Sequence, residues 1–451
     1  MKKEDLSFLL PSLKGNKEEI SGVFLNSKKV TKSSLFIALK GKNYDGNDYI
    51  NEAKEKGASL IFSDNKNSSY YIPSLKEHIN EILIRFYNLN QNVKIIGITG
   101  TNGKSSVSCF IKQLLLLDKK KVKNFTTYNE KNALKSNLTT PSYEELIYQI
   151  KENNNLDYLI LECSSIGISE GRINNIKFDY KILTNIYLDH LDYHKTQENY
   201  QKSKILFLSS LYGKVIMGRK EYFSFKEYFK EKEIIVKGTY SLIKESRKGT
   251  YFSFDEERYK TKLFGKQNIE NLTFAIALGK ELKIKGLNKK VRKIEPLKGR
   301  FDLVSTHPDV LIDYAHTESA MEQVLQEITR IFKKKIILVF GSGGNRDKTK
   351  RKEYGDIALR YAYKVIVTSD NPRFENELSI IDEIVREKRS RFIIEKERSK
   401  AIQCAFSLSR NDTIIVILGK GCEEHIEKDG KLIPYSDYEE VRKCLKNYQY
   451  I

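Results

Sequence analysis

Short apolar runs alternate with polar, helix-periodic stretches along most of the chain. The clearest run is Val93-Lys94-Ile95-Ile96-Gly97-Ile98-Thr99, which reads as a buried strand. A glycine-containing loop follows it, and then an apolar-periodic helix over residues 105–117. Strands are predicted at 156–163 and 178–186. Thr196 is placed to cap a helix running to about residue 208, and 271–282 reads as another helix. This alternation predicts an α/β fold with a parallel, doubly wound sheet.

The pattern extends to both sides. Before the central run, a strand at 34–39, a polar turn at 41–46, a helix at 48–56 ended by Gly57 and a strand at 58–62 predict a small α/β unit. From Gly299 onward, strands at 310–314, 335–340, 365–368, 392–395 and 413–418 predict a second open sheet, whose ligands belong beyond the strands' carboxyl ends. Asp429-Gly430 reads as a hairpin turn. The expected domains are therefore 1–92, 93–298 and 299–451.

Composition narrows the class. A chain of 451 residues is too long for one core. The net charge of +20 invites a nucleic-acid reading. The lysines are spread through every predicted element, however, with no basic tail, so nucleic acid is not the expected partner. Such a field draws in anionic substrates such as nucleotides. No run approaches the roughly 20 apolar residues that span a bilayer, and the charged N-terminus leads into no signal-type segment. The expectation is a cytoplasmic protein without a membrane partner, and a monomer. Its five cysteines are scattered and form no CxxC pair, which argues against a disulfide framework or a zinc site.

The chemistry sits at predicted strand ends. In Gly100-Thr101-Asn102-Gly103-Lys104-Ser105, glycines let backbone amides approach phosphate oxygens, and a helix N-terminus adds partial positive charge. Lys104 suits the β- and γ-phosphates of ATP, and Ser105 suits Mg²⁺. The generic loop asks for glycine where Ile98 stands. Glu162 ends the next strand, and His190 follows the one after. A carboxylate and an imidazole there could hold a second Mg²⁺. His190 and His194 are spaced like a zinc pair, but no third ligand is evident. In the last block, Gly341-Ser342-Gly343-Gly344-Asn345-Arg346-Asp347-Lys348, Asp370-Asn371-Pro372-Arg373 and Gly419-Lys420-Gly421-Cys422-Glu423 each follow a strand. Three polar loops on one sheet edge read as a substrate pocket.

In this order, these segments resemble the Mur ligases of peptidoglycan synthesis, and within them the MurE type. Leu138-Thr139-Thr140-Pro141, Glu162-Cys163-Ser164-Ser165, Asp189-His190-Leu191-Asp192-Tyr193-His194, Asn268 with Asn271, Gly299-Arg300 and Asp313-Tyr314-Ala315-His316-Thr317 complete the likeness. The resemblance implies three domains: a small N-terminal UDP-binding domain, a central P-loop ATPase-like sheet and a C-terminal Rossmann-like domain. It implies amide formation through an acyl phosphate, with release of ADP and phosphate. Ser105 and Thr140 would lie at one Mg²⁺, and Glu162 and His190 at a second. Lys204 matches a lysine that is carbamylated to support that second ion. Asn268, Asn271, Arg300, Asp313 and Lys348 would contact ATP, held across a cleft that closes on binding. Ser27, Thr139, Thr140, Ser164, Glu170 and Arg172 match contacts to UDP-MurNAc-L-Ala-D-Glu. Arg346, Asp370, Asn371, Pro372, Arg373, Gly419 and Glu423 match contacts to meso-diaminopimelate. Arg373 suits that amino acid's second carboxylate, and Glu423 its distal ammonium.

The chain departs from the family's common residues at Lys28, Ile166, Glu170, Asn345 and Cys422. Alternatives are a ligase adding lysine or ornithine, a folylpolyglutamate synthase, which lacks the uridine-nucleotide domain, and a P-loop nucleic-acid-binding protein.

Overall fold

A computed structural model describes residues 1–41, 45–89, 93–126, 139–152, 155–187, 190–210, 212–230, 232–345 and 348–448. The chain divides into two compact units, Met1–Gly238 with Ala277–Leu282, and Thr239–Ile276 with Lys283–Ile451.

The first unit begins with a parallel three-stranded sheet, Val23–Phe24, Ser34–Ala38 and Ala58–Ser63. Helix Leu75–Phe86 follows and buries Leu75, Ile79, Ile82 and Leu83, one apolar stripe at helical spacing. That stripe joins the same core as Val93, Ile95, Leu146 and Ile147 of the expected second block. Polar ties reinforce the join: Asn80 Nδ2 donates to the Asn174 carbonyl at 2.5 Å, and the Leu25 N–H donates to Glu144 at 2.9 Å. The first 90 residues thus share a core with the central sheet.

That sheet has six parallel strands in the order Val122–Phe125, Tyr158–Glu162, Lys94–Thr99, Tyr180–Leu183, Lys214–Gly218 and Ile234–Lys237. Lys94–Thr99 enters first and lies centrally; Val122–Phe125 and Tyr158–Glu162 are then laid on one side of it, and Tyr180–Leu183 and the later strands on the other. Its carboxyl end is therefore the topological switch point, where a crevice opens for ligand. The expected 105–117 helix forms as Lys104–Leu117, and Thr196 caps helix Gln197–Ser209 by accepting the Asn199 N–H at 3.2 Å.

The second unit holds the other six-stranded sheet, ordered Asp302–Thr306, Asp309–Asp313, Thr413–Leu418, Lys335–Phe340, Lys364–Val367 and Ile393–Ile394. Its first strand is antiparallel and the rest are parallel. Buried side chains cover both faces, which is why these strands read as continuous apolar runs. The hairpin expected at Asp429-Gly430 joins His425–Lys428 to Lys431–Pro434.

Two expectations need correction. The helix predicted at 271–282 spans Lys266–Glu281, so Asn268 lies within its first turn. An antiparallel sheet, Tyr240–Ser246, Gly249–Phe254 and Glu257–Thr261, was not anticipated. One of its turns is Asp255-Glu256, both with positive φ. Such a turn normally advertises itself through Asn or Gly, and Glu conceals it.

Near the end of Thr413–Leu418, Arg398 and Asp437 pair with both side chains fully buried. Nε and Nη2 each reach the carboxylate at 2.8 Å, and Nη2 also donates to the Leu418 carbonyl at 2.9 Å. This clamps two helices to the strand that leads into Gly419. Asp437→Ala leaves a buried guanidinium without its counter-charge and is expected to cost about 3 kcal/mol. A lowered midpoint of denaturant unfolding measures it; an unchanged midpoint would contradict the clamp.

Candidate active site

At the switch point the sequence forces a particular loop. Gly100 has φ 143° and Gly103 φ 85°, conformations that L side chains rarely adopt. A Cβ on Gly100 would also strike Thr184 Oγ1. The loop is templated by the end of strand Tyr180–Leu183. The Thr101 N–H donates to the Asn185 carbonyl and the Asn102 N–H to Asn185 Oδ1, both at 2.9 Å. Asn185 Nδ2 and Thr184 Oγ1 return bonds to the Asn102 carbonyl at 3.1 and 2.7 Å. Lys104 begins the helix, and its Nζ donates to the carbonyls of Gly100 at 2.8 Å and Thr101 at 2.9 Å.

Lys204 reaches this loop from helix Gln197–Ser209. It is only 1% exposed; its Nζ donates to the Gly100 carbonyl at 3.3 Å and lies 4.1 Å from the Tyr200 ring centroid. Tyr200 in turn bonds Thr101 Oγ1 at 2.9 Å. The His190 and His194 rings lie 6.1 and 5.4 Å from the Tyr200 ring. His190 is exposed and has positive φ, whereas His194 is buried among aromatic rings.

Glu162 is also 1% exposed and accepts a hydrogen bond from Thr126 Oγ1. Beside it, Thr140 Oγ1 donates to the Glu162 carbonyl at 3.0 Å and lies 2.9 Å from Ser164 Oγ. Arg172 Nη1 donates to the Thr140 carbonyl at 2.9 Å, and its Nη2 pairs with Glu170. Thr140, Glu162, Ser164, Glu170 and Arg172 therefore form one cluster. Ser27 is buried with its hydroxyl donating to Glu52 at 2.9 Å, and no hydrogen bond joins it to that cluster among the described residues.

The second unit carries a cavity of about 230 Å³ at the strands' carboxyl ends, lined among others by Tyr314, Gly341, Asp370, Asn371, Arg373 and Glu423. Beneath it lies fully buried Lys420, whose Nζ donates to Asn371 Oδ1 at 2.9 Å, the His425 carbonyl at 2.8 Å and Glu423 Oε2 at 3.3 Å. Asn371 Nδ2 donates to Glu423 at 3.0 Å. Asn371 thus orients its neighbours, its Oδ1 accepting from both Lys420 Nζ and the Glu427 N–H. Arg373 donates from Nε to Glu427 at 2.9 Å and from Nη1 to the Gly344 carbonyl at 2.7 Å. Burial, reinforced by Glu423, pushes the Tyr314 phenol up to about 12, so it stays a neutral donor.

In the same unit, burial lifts the Asp313 carboxyl above the usual range, opposed by Arg300 and by the N–H groups of Phe301 and Ala315. The Arg300 guanidinium lies 4.5 Å from the Tyr314 ring centroid. Lys348 lies 3.4 Å from Glu375 and 3.7 Å from Glu383, carboxylates that also hold Arg351. Hydrogen bonding from Arg351 pulls the Glu375 carboxyl down to about 2. Asn268 is buried, with Nδ2 donating to the Phe264 carbonyl at 3.1 Å, and Asn271 is buried one turn on. Arg346, Leu138 and Asp189 lie outside the described residues.

Known proteins resemble this chain along its length. The model of the Mur ligase family, catalytic domain, matches residues 19–96, that of the Mur ligase middle domain 98–279, and that of the Mur ligase, glutamate ligase domain, 299–421. The UDP-N-acetylmuramoyl-L-alanyl-D-glutamate–2,6-diaminopimelate ligase of Buchnera aphidicola subsp. Schizaphis graminum is 35% identical, with 99% of each chain covered. The enzyme of the same name from Aquifex aeolicus is 34% identical over 98% of this chain and 95% of its own. The chain belongs to the Mur ligase family.

As a Mur ligase it is an ATP-dependent amide ligase with the family's three-domain α/β architecture. A solved diaminopimelate ligase superposes with a TM-score of 0.75 at 24% identity, covering 100% of this chain and 99% of its own. A MurF ligase from Thermotoga maritima in complex with ADP gives 0.62 at 18%, covering 95% and 97%. A folylpolyglutamate synthase from Thermotoga maritima covers only 75% of this chain and 90% of its own, with a TM-score of 0.60 at 16% identity. No described helix is long and apolar enough to cross a membrane.

Two side chains outside the expected site residues, Asn185 and Glu427, hold this arrangement in place. Asn185 shapes the loop Gly100 to Ser105; a polar pair, Thr184-Asn185, ending an apolar strand was its available signal. Glu427 bonds Arg373 of the cavity lining, as Lys420 of the Gly419-Lys420-Gly421 segment bonds Asn371.

Proposed function

We propose that this Mur ligase works in cytoplasmic peptidoglycan synthesis as a monomer and adds meso-diaminopimelate to UDP-MurNAc-L-Ala-D-Glu. The observation that carries the substrate is that Arg373 and Glu423 both line one cavity. A cation for a second carboxylate and an anion for a distal ammonium match a diamino dicarboxylic acid. Asp370 lines the same cavity.

The ATP phosphates are assigned to the loop Gly100 to Ser105, where backbone N–H groups, the helix N-terminus and Lys104 converge. Thr140, Ser164, Glu170 and Arg172 are assigned to the nucleotide-sugar peptide, with Thr139 and Ser27. Asn268, Asn271, Arg300, Asp313 and Lys348 are assigned to ATP, and Lys348 would exchange its carboxylate partners for phosphate. The hydroxyls of Ser105 and Thr140 and the Glu162 carboxylate are hard oxygen donors of the kind Mg²⁺ takes, with His190 as a further ligand and Lys204 contributing as a carbamate. Bound there, Mg²⁺ would neutralise charge on the phosphates. The substrate carboxylate attacks the γ-phosphorus, ADP leaves, and the amine then displaces phosphate from the acyl phosphate. Lys104 holds its charge where negative charge spreads during the first transfer.

Phosphate release with UDP-MurNAc-L-Ala-D-Glu and a panel of diamino acids tests the reading. Arg373→Ala should raise KM for meso-diaminopimelate about 10²-fold, the loss of a charge-assisted contact, with KM for ATP unchanged. Preference of the wild type for lysine or ornithine would overturn the substrate.

A further inference from the structure

The guanidinium of Arg373 is aimed by a neighbour that no part of the reaction uses. Its backbone sits at φ 53°, a region unfavourable for Arg. The hairpin His425–Lys428/Lys431–Pro434 holds it there. The Arg373 N–H donates to the Glu427 carbonyl at 3.0 Å, and the Asp429 N–H donates to the Arg373 carbonyl at 2.7 Å. These are main-chain bonds, so they survive a change of the Glu427 side chain.

That side chain does something separate. Its carboxylate takes Arg373 Nε at 2.9 Å while the Gly344 carbonyl takes Nη1 at 2.7 Å. With the fork fixed on those two sides, its remaining terminal nitrogen, Nη2, makes no hydrogen bond among the described residues. Arg373 itself lines the cavity; Glu427 does not. The Glu427 N–H also donates to Asn371 Oδ1 at 2.9 Å, which joins it to the Asn371–Glu423 bond.

We propose that Glu427 is a positioning residue that sets the cavity's selectivity for an amino acid with a second carboxylate, by presenting Nη2 of Arg373 to it. This rests on the substrate reading above. A loose guanidinium would spread over several rotamers, and each binding event would then have to order it.

The test compares wild type, Glu427→Ala, Glu427→Gln, Arg373→Ala and the Arg373→Ala/Glu427→Ala double variant, with meso-diaminopimelate and with lysine. Glu427→Ala should raise KM for meso-diaminopimelate about tenfold while kcat and KM for ATP hold. Glu427→Gln, which keeps an oxygen for Nε, should recover most of that loss. KM for lysine should not move. In the Arg373→Ala background Glu427→Ala should add nothing, because there is no guanidinium left to aim. A further tenfold loss in that background, or an equal loss with lysine, overturns the proposal and leaves a structural role. A wild type that rejects meso-diaminopimelate overturns the substrate reading instead, and this inference falls with it.

Discussion

Lys104→Met should lower the rate of phosphate release at least about 10³-fold, because it deletes a preorganised cation while keeping the stem. The geometry explains the size. Nζ is held at the mouth of its own loop by two carbonyls, at 2.8 and 2.9 Å, beside the N-terminus of a 14-residue helix. The loop itself does not depend on Lys104: Asn185 and Thr184 hold it through four hydrogen bonds to Thr101 and Asn102. The variant should therefore melt close to wild type and lose chiefly chemistry and phosphate affinity. Lys104→Arg should not restore it, since a planar guanidinium does not fit where a compact ammonium donates to two converging carbonyls. Turnover within tenfold of wild type would remove Lys104 from the role assigned to it.

The parts of this fold that sequence makes legible are those where one physical demand dominates. Strands Lys335–Phe340 and Thr413–Leu418 are buried on both faces, so their apolar runs mark their bounds to the residue. Gly100 and Gly103 were visible because positive φ restricts the choice of residue. Other features had no such marker. The Asp255-Glu256 turn takes positive φ without Gly or Asn. Glu427 reaches Arg373 across 54 residues of chain, through a hairpin whose turn was readable but whose side-chain target was not. The burial of Lys204 had no local marker, since the residues around it, Ser203 and Ile205, give no clear amphipathic stripe. Its burial follows from packing against Tyr200 and a loop 104 residues away.

That burial makes Lys204→Ala the other variant with a large expected effect, again about 10³-fold or more in turnover. Lys104 and Lys204 both donate to the Gly100 carbonyl. Two ammonium groups that share one oxygen repel each other. If the Lys204 amine adds to CO₂ and gives up a proton, the side chain becomes a carbamate, and the pair becomes one of opposite charges. A carbamate is also a hard oxygen ligand, as Mg²⁺ requires. Alanine removes both the amine and the group built on it, and it leaves space beneath the Tyr200 ring. Formate or acetate should enter that space and restore part of the lost turnover, with little effect on wild type. Mass spectrometry cannot substitute for this, because acid releases the CO₂. An inactive Lys204→Ala that no short carboxylate rescues would place the residue in a packing role under Tyr200. Near-normal activity would remove it from the site altogether. Rescue that saturates with carboxylate concentration would tie the anion to this position, and loss of that rescue in Glu162→Gln would tie it to the Mg²⁺ site proposed at Glu162.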